Sequence, residues 1–311
     1  MANFEKAWNE YWQTGLSTSC VSNGKDGYPP AIKAFWKETA FINLKKQHEV
    51  VDLCSGGGGI PKLMIDYCRD NKISMNIAVT DLATITKNIE SDETIKLKYY
   101  SECNCEELPF KDNSCDFISS SYGIEYSHLE KTIKEINRTL KVGGVFCSII
   151  HCDDSAIVKN SNGQLKQGHE IMYKLNFFDL FRNIYLARTK STVIQKSKEK
   201  KLLKCLNEIK MRLLHDNELH VYRSTLKAAH DIFVYGQTNK PIKCIEYINK
   251  MEKSLKYNYQ RMENLAEVVL SDNDISKLVE YIESLGLKML YNEKIKSDEN
   301  KILGLGLVCK K

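Results

Sequence analysis

The densest chemical signal in this chain of 311 residues runs from Glu49 to Pro61. Val50-Val51-Asp52-Leu53-Cys54 is an apolar run carrying one carboxylate, and it leads through Ser55 into four consecutive glycines, Gly56 to Gly59. Glycine lets backbone pass close to a ligand and adopt positive φ. A turn of this kind, at the carboxyl end of a first parallel strand, lies where open α/β sheets bind ligands. Three ligand classes compete for it. A phosphate-gripping P-loop needs Gly-Lys-Ser/Thr after the glycines, and Gly59 is followed by Ile60-Pro61. A dinucleotide fingerprint begun at Gly56 places its third glycine at Pro61, which loses the close packing that fingerprint uses. The remaining pattern is an acid at the strand end followed by alternating small residues, with Asp52, Gly56 and Gly58 in place and Cys54 where a first glycine would stand. About twenty residues further on, Asn76-Ile77-Ala78-Val79-Thr80 ends in Asp81, a second carboxylate at a strand end, spaced to accept hydrogen bonds from both hydroxyls of a ribose.

The elements that position these residues follow from the hydrophobic period. Strands are expected at Val50–Cys54, Asn76–Thr80, Asp116–Ser120 and Val145–His151, with helices at Pro61–Arg69 and Leu129–Leu140. Such alternation implies an α/β fold with a parallel sheet and helices on both faces. Residues 1–48 form an aromatic helical lead-in (Phe4, Trp8, Tyr11, Trp12), a break at Asn23, Gly24, Gly27, Pro29 and Pro30, and a second helix from about Ala31 to Leu44. From Asp153 to about Leu270 strand signal nearly vanishes, and apolar residues recur at helical steps in a lysine-rich insertion. Ser271 then caps a helix, with Asp274 closing an aspartate variant of the capping box. Leu287–Ile295 and Lys301–Cys309 read as a terminal hairpin.

Taken with four further stretches, the glycine loop resembles motif I of the class I S-adenosylmethionine-dependent methyltransferases, of the methyltransferase type 11 kind. Asn104-Cys105-Glu106-Glu107-Leu108-Pro109-Phe110 is similar to the stretch that reads the adenine edge, with Asn104 where aspartate is more usual. Ser120-Ser121-Tyr122-Gly123-Ile124-Glu125-Tyr126 matches the segment lining the methionine and methyl-donor side, and Glu135 to Phe146 is close to E-x-x-R-x-L-K-P-G-G, with Val142 in place of proline. The resemblance covers roughly residues 45–151 and resumes weakly in the hairpin. It implies a Rossmann-like, seven-stranded, mostly parallel sheet with an antiparallel final hairpin. The core would comprise residues 49–152 and 271–311, with residues 1–48 as a lid and residues 153–270 as a substrate cap or dimer contact.

The same resemblance implies that the chain binds S-adenosylmethionine and releases S-adenosylhomocysteine. Asp52, Gly56 and Gly58 would lie around the methionine moiety, Asp81 with the adjoining Leu82 at the ribose, Asn104 and Cys105 at adenine, and Ser121 and Tyr122 near the reacting group. His151, just after the fifth strand, is a candidate base or orienter, and Glu125 is a second; a loop histidine and a helix-capping glutamate are the ordinary alternatives. Trp8, Tyr11 and Trp12 have the spacing of a packed stripe, while the resemblance implies a lid role over the donor for Tyr11 or Trp12, and Phe177, Phe178, Phe181 and Tyr185 read as a core stripe or an acceptor-pocket wall. The expected acceptor is a small metabolite or biosynthetic intermediate, methylated on O, N or C. A peptide, protein or RNA acceptor and a non-catalytic binding protein are the alternatives.

Composition narrows the remaining choices. Hydrophobic residues make up 42% and charged residues 27%, which suits a globular chain, and no apolar run approaches membrane-spanning length. Eleven cysteines at irregular spacing, with no C-x-x-C, argue against a disulfide framework or zinc site, so no metal is expected. The N-terminus has no secretory pattern, which points to the cytoplasm. Net charge is +5. The basic run Arg188, Lys190, Lys196, Lys198, Lys200, Lys201 and Lys204 has no interleaved aromatics and reads as a solvated helix face, so nucleic acid is an unlikely partner; a homodimer is possible.

Overall fold

A computed structural model of the chain describes residues 2–19, 27–85, 89–90, 92–188, 192–215 and 220–311. The anticipated break residues Asn23 and Gly24, and Lys190 of the basic run, lie outside these residues, as does the side chain of Phe4. Two compact units are formed, one by residues 1–159 with 264–311 and the other by residues 160–263.

The first unit begins with helix α1 (Ala2–Trp12) and the short α2 (Pro30–Ala34). It continues through β1 (His48–Leu53), α3 (Gly59–Asp70), β2 (Met75–Thr80), β3 (Ile95–Tyr100), β4 (Cys115–Ser121), α4 (Leu129–Thr139) and β5 (Leu140–Ile150). Among the described residues one seven-stranded sheet has the order β3-β2-β1-β4-β5-β7-β6, where β6 is Lys288–Lys296 and β7 is Ile302–Lys310. Pairing is parallel from β3 through β5, and β7 runs antiparallel between β5 and β6. Strand alternation sends Val50, Phe117 and Cys147 to one buried cluster and Val51, Ile118 and Phe146 to the other. On the first face the sheet meets Met64 and Cys68 of α3 and the segment holding Ile32, Trp36 and Phe41. On the second it meets Ile133 and Ile136 of α4 and Ile275, Leu278 and Ile282 of α10 (Asp272–Ser284). The sheet therefore has helices on both faces, as expected.

Three local features differ from the sequence reading. Strand β3 escaped notice because Ile95-Lys96-Leu97-Lys98 alternates with lysines, which an edge strand tolerates on its solvated side. The second helix of the lead-in stops at Ala34 and continues as a wide π turn over Phe35–Ala40 and a tight 3₁₀ turn over Phe41–Asn43. Strand β5 starts at Leu140, opposite Cys115, and its register against β4 breaks before Val145 pairs with Phe117, so the presumed turn at Lys141–Gly144 is a bulge within the strand. The Ser271 capping box forms as expected: the Ser271 hydroxyl accepts the Asp274 N–H at 3.2 Å, and the Asp274 carboxylate accepts the Ser271 N–H at 3.2 Å.

The second unit is helical. Its residues belong to α5 (Ala156–His169), α6 (Phe177–Ala187), α7 (Thr192–His215), α8 (His220–Thr238) and α9 (Pro241–Val268), with a π turn at Glu170–Lys174. Phe177, Phe178, Phe181 and Tyr185 are buried in this unit's own core with Leu202, Ile209, Tyr222 and Ile248, so they form a packing stripe. Lys196, Lys200, Lys201 and Lys204 are exposed. Among the described residues no helix is long and apolar enough to cross a membrane, and no cluster of His, Cys, Asp and Glu has the geometry to hold a metal ion.

Candidate active site

Strands β1 and β2 run parallel and in register, so their carboxyl ends deliver Asp52 and Asp81 to the same edge of the sheet. Their surroundings differ. Asp52 is only 1% exposed, and its Oδ1 accepts the Ser119 hydroxyl of the neighbouring strand at 2.6 Å. Burial pushes its carboxyl up to about 7, against the opposing pull of hydrogen bonds from Ser119 and Ser55. Asp81 accepts the Gly56 N–H at Oδ2 and the Ala83 N–H at Oδ1, both at 2.7 Å. Burial raises its carboxyl from the ordinary range too, opposed by these two backbone donors.

Gly56 has φ +53, a left-handed conformation that aims its N–H at Asp81 and suits glycine. Gly57 is needed for a different reason: a Cβ there would lie 1.9 Å from the carbonyl oxygen of Leu16. The polypeptide after α1 thus passes directly over the glycine turn. It is fixed by the Asn9 side chain, which accepts the Thr84 N–H at 2.8 Å, and by the Tyr11 hydroxyl, which donates to the Thr18 carbonyl at 3.1 Å.

Beside this turn, and entirely within the first unit, is a cavity of about 390 Å³. Asp81, Leu82 and Ala83 after β2 form one wall, Cys103 to Glu106 after β3 a second, and Tyr122, Gly123, Tyr126 and Ser127 after β4 a third. Cys54 lies at its edge, and Trp8 and Trp12 of α1 contribute an aromatic side. The wall after β3 is held in place by the motif that precedes β5. Arg138 donates to the Leu108 carbonyl at 3.1 Å, the Phe110 carbonyl at 2.9 Å and the Glu135 carboxylate at 2.7 Å, while Glu135 accepts the Leu108 N–H at 2.8 Å. The Arg138 guanidinium holds the Glu135 carboxyl below its usual range. Asn104 closes a local turn, its Oδ1 accepting the Glu106 N–H at 2.9 Å, and the Cys105 thiol lies 3.6 Å from Thr132 Oγ1.

Of the expected site residues, Asp81, Leu82, Asn104, Cys105 and Tyr122 line the cavity. Asp52, Gly56, Gly58 and Ser121 stand behind it: Asp52 is sealed in the sheet, the Trp12 ring occupies the space a Gly56 side chain would need, and Ile89 does the same at Gly58. His151 and Glu125 come together as a buried pair, with His151 Nδ1 2.6 Å from Glu125 Oε1, which also accepts the His151 backbone N–H at 3.0 Å. Neither lines the cavity. The His151 ring packs 4.4 Å from that of Tyr122 and 6.2 Å from that of Tyr126, and both tyrosines do line it. Tyr122 directs its hydroxyl inward, donating to the Leu303 carbonyl at 3.1 Å. Cys54, Glu106 and Tyr126 lie within the motif stretches and Cys103 adjoins one, and that placement is the available signal for them; Trp8, in the aromatic lead-in, has no motif beside it.

Residues 31–175 match the model of the ubiE/COQ5 methyltransferase family. The seven-stranded, mostly parallel sheet with an antiparallel final hairpin is the arrangement implied by the motif resemblance, and the structure adds its order, with β7 between β5 and β6. The first unit has a Rossmann-like α/β fold, a seven-stranded, mostly parallel sheet with helices on both faces. The ubiquinone/menaquinone biosynthesis C-methyltransferase UbiE of Rickettsia prowazekii (strain Madrid E) is 27% identical over 122 residues, covering 37% of this chain and 49% of that protein. Its counterpart in Wigglesworthia glossinidia brevipalpis is 31% identical over 118 residues, covering 36% and 47%. The chain spans about half the length of the curated relatives it matches. A solved geranyl diphosphate C-methyltransferase from Streptomyces coelicolor A3(2), in complex with Mg2+, geranyl diphosphate and S-adenosyl-L-homocysteine, is 11% identical with a TM-score of 0.43, covering 99% of this chain and 98% of that one. Within this fold, the cavity lies at the carboxyl ends of β1, β2, β3 and β4.

Proposed function

We propose that the chain transfers a methyl group from S-adenosylmethionine to a small-molecule acceptor and releases S-adenosylhomocysteine. The observation that carries this reading is Asp81, a carboxylate on the cavity wall whose two oxygens are each pinned by one backbone N–H. Each oxygen keeps a free lone pair, so the carboxylate can accept both hydroxyls of a ribose. Asn104, Cys105 and Leu82 line the same cavity, and on this reading Asn104 and Cys105 read the adenine edge with Leu82 supplying apolar surface beside it. When bound, S-adenosylmethionine supplies a methyl group made electrophilic by its sulfonium. The chain's own contribution is alignment and exclusion of water. Trp8 and Trp12, stacked with ring centroids 5.7 Å apart, and Tyr126, perpendicular to Trp8 at 5.5 Å, form an aromatic wall. The His151–Glu125 pair holds Tyr122 and Tyr126 from behind and acts in positioning, not as a base in contact with the acceptor.

An aromatic wall favours a flat, largely apolar acceptor. The relatives are named for carbon methylation in ubiquinone and menaquinone biosynthesis, so a demethylated quinol is the first acceptor to test. Crystals grown with S-adenosylhomocysteine should show its ribose within hydrogen-bonding distance of Asp81. An empty cavity, or the ligand bound elsewhere, would contradict the proposal.

A further inference from the structure

Helix α7 packs into the helical unit through Leu202, Cys205 and Ile209, each buried in that unit's core. Its opposite side carries three large apolar side chains in the open: Leu203 is 57% exposed, Met211 55% and Leu214 71%. At about 100° per residue these three fall within a single arc of the helix, roughly 120° wide, and Lys196, Lys200, Lys204 and Lys210 fall within the same arc. All four lysines are exposed, and among the described residues none of them makes a hydrogen bond or an ion pair. The acids of the helix stand outside the arc. Glu208 lies beyond the edge marked by Lys204 and is engaged by Arg212 at 2.9 Å, and Glu199 borders the other edge, half-buried.

We propose that this arc is a docking surface for an anionic phospholipid bilayer, on which α7 lies in the plane of the membrane without crossing it. Lysines alone would make a solvated helix face; the leucines and methionine exposed between them are what water does not favour. A helix that presents both, with no acid among them, suits the boundary between headgroups and acyl chains, where ammonium groups meet lipid phosphates and apolar tips enter the outer hydrocarbon.

Charge complementarity selects this occupant over the others. A single-stranded nucleic acid is held by aromatic side chains on which bases stack, and the arc has none. A second copy meeting the same face would set four lysines against four, and like charges brought together in an interface oppose association. An anionic bilayer satisfies the lysines and the apolar side chains together. Because the inner face of α7 is already committed to the core, contact is limited to side-chain tips, so the attachment is reversible and weakens as salt screens it. The surface lies wholly within the second unit and does not depend on the methyl transfer proposed above.

The whole chain is sedimented with phosphatidylcholine vesicles and with vesicles containing about one-third phosphatidylglycerol, at low and at high salt. The expected result is binding to the anionic vesicles about tenfold tighter or more than to the neutral ones, falling steeply with salt. Lys200→Glu/Lys204→Glu should weaken it about tenfold or more, and Leu203→Ser/Leu214→Ser about threefold or more. Lys288→Glu/Lys310→Glu, which makes the same change of net charge on exposed residues of the terminal hairpin, should bind as the wild type does. Chemical denaturation checks that each variant is folded, and Lys200→Gln/Lys204→Gln replaces the first pair if charge reversal disturbs the helix. No preference for anionic vesicles, wild-type binding by either folded α7 variant, or an equal loss in the hairpin variant would overturn the proposal. So would tighter binding to a single-stranded RNA that the α7 lysine variant loses, or a dimer in sedimentation that the same variant dissociates.

Discussion

The turns that follow β1 and β2 begin alike, each with an aspartate at the end of a buried parallel strand, and end in different roles. After β1 the carboxylate is sealed against Ser119 and the glycines are covered by the chain's own Leu16 carbonyl and Trp12 ring. After β2 the carboxylate faces a cavity, with Leu82 and Ala83 beside it. The Gly56 N–H joins the two turns by donating to Asp81. A glycine-rich turn can therefore serve a ligand site indirectly, by admitting a covering segment and aiming one backbone donor, while the contact surface is built by its neighbours.

The largest effect on the sealed side should come from Gly57→Ala. Its added methyl meets backbone, which cannot rotate away, so a loss of about 3 kcal/mol is expected in chemical denaturation, with Trp8 and Trp12 fluorescence shifting as the covering segment lifts. Unchanged stability would mean that Leu16 does not lie on the turn. A smaller effect concerns Asp52 and has a definite sign. The folded chain keeps a proton on Asp52 up to about pH 7, whereas the unfolded chain releases it near pH 4, so stability falls as pH rises through that window. Asp52→Asn should remove this slope and leave the variant more stable than the wild type at pH 8 and little changed at pH 4. Ser119→Ala removes the donor to that buried carboxyl and should cost about 1–2 kcal/mol at neutral pH by the same measurement.

Sequence disclosed what is local. The acid-and-glycine pattern located β1 and its turn, twenty-residue spacing located Asp81, and Ser271 with Asp274 announced a capping box that the structure contains. The E-x-x-R motif was visible at Glu135 and Arg138, but its work, tethering Leu108 and Phe110 just beyond the cavity wall, depends on a contact across about thirty residues. The same holds for the covering of Gly57 by Leu16: no period or propensity encodes which distant segments touch. Strand β3 was hidden by its lysines, and His151 was recognisable as a polar residue at a strand end without showing that tyrosines stand between it and the cavity.

The contrast between the two carboxylates is tested most directly by calorimetric titration of S-adenosylhomocysteine into the wild type, Asp81→Ala and Asp52→Asn at neutral pH. Losing the acceptor of two ribose hydroxyls should cost Asp81→Ala about 3 kcal/mol, or roughly two orders of magnitude in Kd, while Asp52→Asn binds within a few-fold of the wild type. Equal binding by wild type and Asp81→Ala, or a larger loss in Asp52→Asn, would contradict the assignment of the donor to the turn after β2.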